Sequence, residues 1–137
     1  MPAGGESAVG DKSHSPVAIL IVSCDRYADI WAGLFESYRR FWPDCPYRRY
    51  LLTNFLDTPE KGVVVIKLGT DRSWSENVRQ ALHHIHERYV FLHMEDLYIK
   101  SRIGRDVLHV IDWAVKQGAN CIRLNAFADS ITVGVLP

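Results

Sequence analysis

The chain has 137 residues, of which 47% are hydrophobic, and this is enough to bury the core of a single domain. Sixteen basic and sixteen acidic residues balance, which argues against a nucleic-acid-binding protein, because such proteins carry excess positive charge. The longest aliphatic run covers six residues, too few for a transmembrane segment, and the three cysteines form no C-x-x-C pair. With no signal-peptide pattern at the N-terminus, we expect a cytoplasmic protein.

The first predicted elements are a leader, a strand and a helix. Residues 1–15 are rich in Gly, Ser and charge, so we expect a flexible leader, followed by one α/β domain over residues 16–137. The β-branched run Val17–Val22 is typical of a strand that is buried on both faces of a parallel sheet. Apolar residues then recur every three or four positions from Ile30 onward, which predicts a helix, and Pro43 ends it.

Two more strands and a second helix follow. Tyr47–Thr53 and Val63–Ile66 have the composition of buried strands. A helix is predicted over roughly residues 75–87, after a turn-forming segment. Ser73 and Ser75 are the candidate N-caps, and Ser73 has Glu76 three residues later at the spacing of a capping box.

The last predicted elements complete an alternating pattern. Tyr89–Met94 predicts a fourth strand, residues 105–117 a helix ended by Gly118, and Cys121–Leu124 a fifth strand. Ile131–Pro137 resembles a strand that is cut short. Strands that alternate with helices at these spacings predict an α/β fold with a mostly parallel, Rossmann-like sheet flanked by helices.

Polar side chains follow the predicted strands, at the positions where ligands bind in open parallel sheets. Asp25, Asn54, Asp71 and the pair Glu95-Asp96 each come after a strand, so the fold would gather them on one edge. Ordinary loop polarity is the alternative explanation for this set. An acidic pair at such an edge suits a hard divalent cation and, through it, the phosphates of a substrate. The chain has neither a P-loop nor a G-x-G-x-x-G turn, which leaves a metal on carboxylates as the remaining phosphate clamp.

Four segments together resemble the first half of a known enzyme family. Cys24–Tyr27, Trp74–Asn77, Ala81-Leu82 and Tyr89–Tyr98 are similar in order and spacing to the GT-A fold glycosyltransferases, in particular to family-2-like enzymes that use nucleotide-diphosphate sugars. The resemblance covers about residues 17–125. It implies a nucleotide-sugar-binding half with a donor site at the carboxyl edge of the sheet.

The resemblance also implies a metal and a set of ligand contacts. Asp96 corresponds to the last Asp of the family's acidic motif and would bind Mg²⁺ or Mn²⁺ with Glu95, although Met94 stands where the first Asp would be. By the same resemblance, Asp25 would contact the nucleoside, Asp71 the base or ribose, and Arg79 a phosphate. Asn77 matches an asparagine that the family carries near the start of the helix before the acidic motif.

The expected function is therefore that of a glycosyltransferase, or of its donor-binding half, with a polysaccharide or glycolipid acceptor by analogy. In this family the catalytic base lies in the second half, so no base is assigned and we expect the chain to be truncated at its C-terminus. A catalytically inactive nucleotide-binding or regulatory domain is the alternative. A receiver domain ranks last, because Ile66-Lys67-Leu68 carries no phosphoacceptor Asp.

Aromatic and histidine side chains near these motifs are better explained as structural residues than as ligand contacts. Trp74 is expected in the core or in a hydrophobic staple rather than as a stacking platform. His83, His84 and His86 lack the spacing of a metal site and are expected on a solvated face, whereas His93 is expected in the core.

Overall fold

The structure is a computed structural model, and it describes residues 15–122. In chain order its elements are β1 (Val17–Val22), a 3-10 segment (Asp25–Ile30), α1 (Trp31–Phe41), β2 (Arg48–Thr53), β3 (Val63–Lys67), α2 (Trp74–Leu82), β4 (Tyr89–Met94) and α3 (Arg105–Lys116). The predicted leader, apart from Ser15, and the predicted strand at Ile131–Pro137 lie outside the described residues. Of the predicted strand Cys121–Leu124, the first two residues are in no regular element and the last two lie outside the described part.

The four strands form an all-parallel sheet in the order β3-β2-β1-β4. Central strand β1 pairs on both sides: Leu20 is in register with Tyr50 of β2 and with Leu92 of β4. This confirms the predicted α/β, Rossmann-like fold. Its central strand is also the most apolar one, and every residue of β1 is buried. None of the helices within residues 15–122 is long and apolar enough to cross a membrane.

The described chain divides into two compact units. The sheet unit comprises residues 15–28 and Pro46–Glu95, and the α1/α3 unit comprises Asp29–Cys45 and residues 96–122. All four strands and α2 belong to the sheet unit, while α1 and α3 belong to the other.

Helix α2 covers one face of the sheet and closes the core of the sheet unit. It begins where the capping pattern predicts, because the Ser73 hydroxyl accepts a hydrogen bond from the Glu76 backbone N–H at 3.2 Å. The core consists of Ala18, Leu20, Val22, Tyr50, Leu52, Ile66, Val78, Ala81 and Ile85. Burial of these apolar side chains is the main force that holds the helix against the strands.

Helix α2 ends five residues earlier than predicted. After Leu82 the backbone hydrogen bonds join residues three positions apart instead of four, as in a 3-10 helix. One example is the bond from the His84 N–H to the Ala81 carbonyl at 2.9 Å. Ile85 still reaches the core from this turn, which is why the apolar period continues beyond the helix. The turn lets Tyr89 start β4, where its N–H donates to the Pro16 carbonyl at 2.9 Å.

The histidines lie as predicted. His83, His84 and His86 are exposed around the end of α2. His93 is buried within β4, and its ring packs edge-on against Phe91 with 6.3 Å between the ring centroids.

In the α1/α3 unit, the segment after β4 is bonded along helix α1. The Tyr98 hydroxyl donates to the Ile30 carbonyl at 2.8 Å, and the Ile99 N–H donates to the Ser37 hydroxyl at 3.2 Å. The Ile103 N–H donates to the Phe41 carbonyl at 2.9 Å, at the last residue of α1. These bonds run from one end of the helix to the other and anchor the segment that leads into α3.

Candidate ligand cleft

An open cleft lies at the carboxyl edge of the sheet unit. It is lined by Val22, Ser23, Cys24, Tyr27, Leu52, Asp71, Arg72, Trp74, Asn77, Met94 and Glu95, and it encloses about 150 Å³. Clefts that bury most of a drug-sized ligand have volumes of about 300–1,000 Å³. This cleft is therefore large enough for one part of such a ligand, such as a ring, while the rest of the ligand would remain at the surface.

The cleft has an apolar floor and two aromatic side chains at its rim. The floor is formed by Val22, Leu52 and Met94, which stand at or near the ends of β1, β2 and β4. Tyr27 and Trp74 remain 45% and 53% exposed. Rings of this kind offer flat apolar faces on which a planar or sugar ring can stack.

The expectation that Trp74 would lie in the core is wrong. Trp74 continues the apolar stripe of α2 that runs through Val78 and Ala81, but it is the first residue of that helix. The helix begins at the carboxyl edge of the sheet, so the stripe runs past the core and Trp74 borders the cleft.

Asp71 and Asn77, both expected at a ligand site, line the cleft together. The Asn77 side-chain amide donates to one Asp71 carboxylate oxygen at 2.5 Å and accepts from the Arg72 backbone N–H at 3.4 Å. The side chain of Asn77 therefore joins the loop after β3 to helix α2. This arrangement holds the Asp71 carboxylate at the cleft.

Arg79, expected to contact a phosphate, does not line the cleft. Its guanidinium donates to both carboxylate oxygens of Glu76, at 3.1 Å from Nε and 2.8 Å from Nη2. Hydrogen bonds from Arg79 and then from Gln80 are the main reason that the pKa of Glu76 falls from 4.5 to about 2.

Arg72 lines the cleft instead, and the sequence reasoning missed it. The signal was its position next to Asp71 in the loop that follows β3.

Asp25, expected to contact a nucleoside, borders the cleft residues in sequence but is not part of the lining. Its carboxylate accepts three backbone hydrogen bonds from the loop after β2: from Asn54 at 2.9 Å, Phe55 at 3.0 Å and Leu56 at 3.3 Å. The carboxylate is thus already engaged in holding that loop, and the neighbouring residues Cys24 and Tyr27 face the cleft.

The two predicted metal ligands differ in their surroundings. Glu95 lines the cleft and is 8% exposed, whereas Asp96 is exposed and is the first residue of the second segment of the α1/α3 unit. Within residues 15–122, His, Cys, Asp and Glu form no group of three that can hold a metal. Mg²⁺ is usually held by one or two carboxylates together with waters and substrate phosphates. Of the two predicted ligands, Glu95 alone lines the cleft.

Searches against protein-family models, curated proteins and solved structures found no match to this chain. The fold and the cleft define the class of this protein as a parallel α/β domain with an open cleft at the carboxyl edge of its sheet, lined by aromatic, acidic and basic side chains.

Proposed function

We propose that the cleft binds a nucleotide-diphosphate sugar and that the chain is a glycosyltransferase of the GT-A type, or its donor-binding half. The observation that carries this proposal is the cleft itself, which lies where open parallel sheets bind nucleotides and joins two exposed aromatic rings to hydrogen-bonding groups. Tyr27 and Trp74 would hold the base or the sugar ring by stacking. Asp71 would accept hydrogen bonds from a base N–H or from ribose hydroxyls.

The donor chemistry needs charge stabilisation at the diphosphate. Transfer of a sugar breaks the bond between the anomeric carbon and the diphosphate oxygen, so negative charge develops on the leaving group. When bound, Mg²⁺ or Mn²⁺ would supply a Lewis acid for that charge, with Glu95 at the cleft as a protein ligand. The acceptor hydroxyl also needs a general base to remove its proton. A polysaccharide or glycolipid acceptor rests on the family resemblance alone.

We include a cytoplasmic location in the proposal. Within the described residues, Cys24, Cys45 and Cys121 form no disulfide, which suits a reducing compartment.

Titration with a panel of nucleotide-diphosphate sugars tests the proposal, once with Mn²⁺ or Mg²⁺ and once with excess EDTA. Calorimetry measures binding, and tryptophan fluorescence reports whether the ligand lies against Trp74. We expect saturable binding, with quenching that is lost in Trp74→Phe. Trp113→Phe is the matched control, because Trp113 is 50% exposed on α3 and does not line the cleft.

The result that contradicts the proposal is an absence of saturable binding of every nucleotide sugar in both conditions. Quenching that persists in Trp74→Phe and disappears in Trp113→Phe would move the binding site away from the cleft.

A catalytically inactive nucleotide-binding domain is the second candidate. This candidate is favoured by Met94, whose thioether lines the cleft. The GT-A glycosyltransferases that the chain resembles have the first Asp of their acidic motif at this position. An assay for release of the nucleoside diphosphate separates the two candidates. Binding without release, in the presence of Mn²⁺ and a range of saccharide acceptors, would support the inactive domain.

A further inference from the structure

Two arginines flank Glu76, and the structure separates their roles. Arg79 makes two hydrogen bonds to the Glu76 carboxylate, at 3.1 and 2.8 Å. Arg72 approaches the same carboxylate only at 3.7 Å, from Nη1 to Oε1. The two arginine side chains are almost equally exposed, at 62% and 63%, so exposure does not distinguish them. What distinguishes them is their attachment to Glu76 and the fact that Arg72 lines the cleft.

We infer that Arg72, and not Arg79, is the cleft's own counter-charge for the phosphate groups of its ligand. This inference rests on the proposed function, because it assigns the anionic part of the nucleotide to a named residue. It also adds to that function, since it gives the cleft a component of phosphate binding that needs no divalent ion.

Arg72 can leave Glu76 with little loss. An exposed ion pair at 3.7 Å contributes little, because water screens both charges. Glu76 would keep its hydrogen bonds from Arg79 and from the Gln80 amide, which donates at 2.9 Å. Arg79 would have to give up two charge-assisted hydrogen bonds to reach a ligand, so it is the poorer candidate.

The backbone of Arg72 is held beside the cleft while its side chain is exposed to solvent. Its N–H donates to the Asn77 side chain, which in turn donates to Asp71. The arginine guanidinium has paired N–H donors that can bind two phosphate oxygens at once, whereas the ammonium group of a lysine has no such pair.

The composition of the lining favours this role. Arg72 is the basic side chain of the lining and stands beside the acidic side chains of Asp71 and Glu95. A diphosphate that enters beside acidic groups is repelled unless a cation offsets its charge. Without a divalent ion, Arg72 is the basic side chain in this lining that can do so.

The experiment compares wild type, Arg72→Gln and Arg79→Gln by calorimetry in excess EDTA and at low salt. The probes are UDP and GDP, the matching nucleosides uridine and guanosine, and inorganic pyrophosphate. Arg72→Gln is expected to weaken binding of the diphosphates about tenfold or more, which corresponds to about 1.4 kcal/mol. Nucleoside affinity should change by less than about twofold, because a nucleoside has no phosphate for Arg72 to bind.

Arg79→Gln is the matched control, since it removes the same charge from the same carboxylate without altering the cleft lining. It should leave all affinities within about threefold of wild type, because an exposed charge outside the cleft is largely screened. Arg72→Lys should restore only part of the lost affinity, because lysine keeps the charge but not the paired donors. Thermal unfolding of each variant checks that the fold is retained.

The possible outcomes distinguish failure of the Arg72 inference from failure of the proposed function. Equal weakening by Arg72→Gln and Arg79→Gln overturns the inference, because it shows a general field effect and no specific contact. Loss of nucleoside affinity in Arg72→Gln also overturns it, since Arg72 would then shape the cleft. If pyrophosphate binds through Arg72 but no nucleotide or nucleoside binds, the inference stands and the proposed function fails. If none of the probes binds wild type, with or without Mn²⁺, both fail.

Discussion

Asp25 and Asn54 hold each other's backbone. The Asn54 N–H donates to an Asp25 carboxylate oxygen at 2.9 Å, and the Asp25 N–H donates to the Asn54 side-chain oxygen, also at 2.9 Å. The Asn54 amide then donates to the Gly69 carbonyl at 2.9 Å. This chain of bonds connects the segments that follow β1, β2 and β3, two of which carry residues of the cleft.

Removal of the Asp25 carboxylate should therefore destabilise the carboxyl edge of the sheet. Asp25→Ala leaves three backbone N–H groups without their acceptor, and we expect the free energy of unfolding to fall by about 1–3 kcal/mol. Asp25→Asn should cost less, because its one remaining oxygen still accepts. Urea denaturation measures both.

Asp112→Asn is the control for the Asp25 variants, because Asp112 is an exposed acid on α3. It removes the same charge and should change stability by less than about 0.5 kcal/mol. If Asp25→Ala is no less stable than this control, the loop does not depend on the carboxylate.

Tyr50 should make the protein sensitive to alkaline pH. Burial is the largest cause that raises the pKa of Tyr50 above its ordinary value of 10.0. The unfolded chain would then lose this proton near pH 10 while the folded chain retains it. The stability contribution is complete below pH 10 and is lost as the pH rises through the folded-state pKa.

Comparison of wild type with Tyr50→Phe isolates that contribution. At neutral pH the variant should be less stable by about 0.5–1.5 kcal/mol, because it loses the hydrogen bond from the hydroxyl to Glu87 at 3.0 Å. The difference between the two free energies of unfolding, measured in urea from pH 7 to pH 11, should narrow above pH 10. A constant difference over that range would show that burial of Tyr50 does not control its ionisation.

Glu76 should contribute stability that is lost in acid. Its pKa is about 2 in the folded protein, against an ordinary value of 4.5, so its contribution is present above pH 4.5 and declines as the pH falls towards 2. Glu76→Gln should be less stable than wild type at pH 6, and the two should converge near pH 2. Thermal unfolding across this pH range tests the convergence.

The same measurement in an Arg79→Gln background identifies the cause. Arg79 is the main partner that lowers the pKa of Glu76, so Glu76→Gln should have a smaller effect when Arg79 is absent. An undiminished effect would assign the shift to another group.

Gly33 on helix α1 leaves room for the ring of Tyr98. A Cβ added at Gly33 would lie 2.7 Å from the Tyr98 hydroxyl oxygen, which itself donates to the Ile30 carbonyl at 2.8 Å. We expect Gly33→Ala to lower stability, because Tyr98 must move and lose that bond. In a Tyr98→Ala background the same change should raise stability by up to about 1 kcal/mol, since alanine favours helix.

A double-mutant cycle on Gly33 and Tyr98, with the free energy of unfolding measured in urea, gives the coupling energy between the two residues. Equal effects of Gly33→Ala in both backgrounds would mean that the helix shifts to accommodate the methyl group.

The central strands and the helix cap were predictable because their causes are local. Six consecutive apolar residues leave Val17–Val22 few alternatives to a fully buried strand, and the structure begins and ends it at those residues. The N-cap of α2 was predictable because Ser73 and Glu76 stand three residues apart, which is the spacing of a capping box. The predicted end of α2 was wrong because Ile85 keeps the apolar period after the backbone has left the helix, and periodicity cannot detect that change.

The polar residues at the carboxyl edge were predictable as a group but not in their individual positions. Parallel strands bring their ends to one edge, which is why Asp71 and Glu95 line the same cleft, whereas Asp25, Asn54 and Asp96 of the same predicted set do not line it. Arg79 stands three residues after Glu76, at the spacing of an ion pair on one helix face, and Arg72 stands next to Asp71 in the loop before that helix. The tertiary structure shows that Arg72 lines the cleft and that Arg79 does not.

The amino-acid sequence alone therefore determined the alternation of strands and helices, the parallel sheet and the edge at which polar groups collect, because hydrophobic period and turn chemistry act over a few residues. The tertiary structure decided that Asp25 holds a loop, that Trp74 is exposed at the cleft and which arginine lines it. The partners of Asp25 lie 29 to 31 residues away, and the cleft beside Trp74 and Arg72 is lined by residues from β1, β2 and β4, so only the folded backbone brings these groups together.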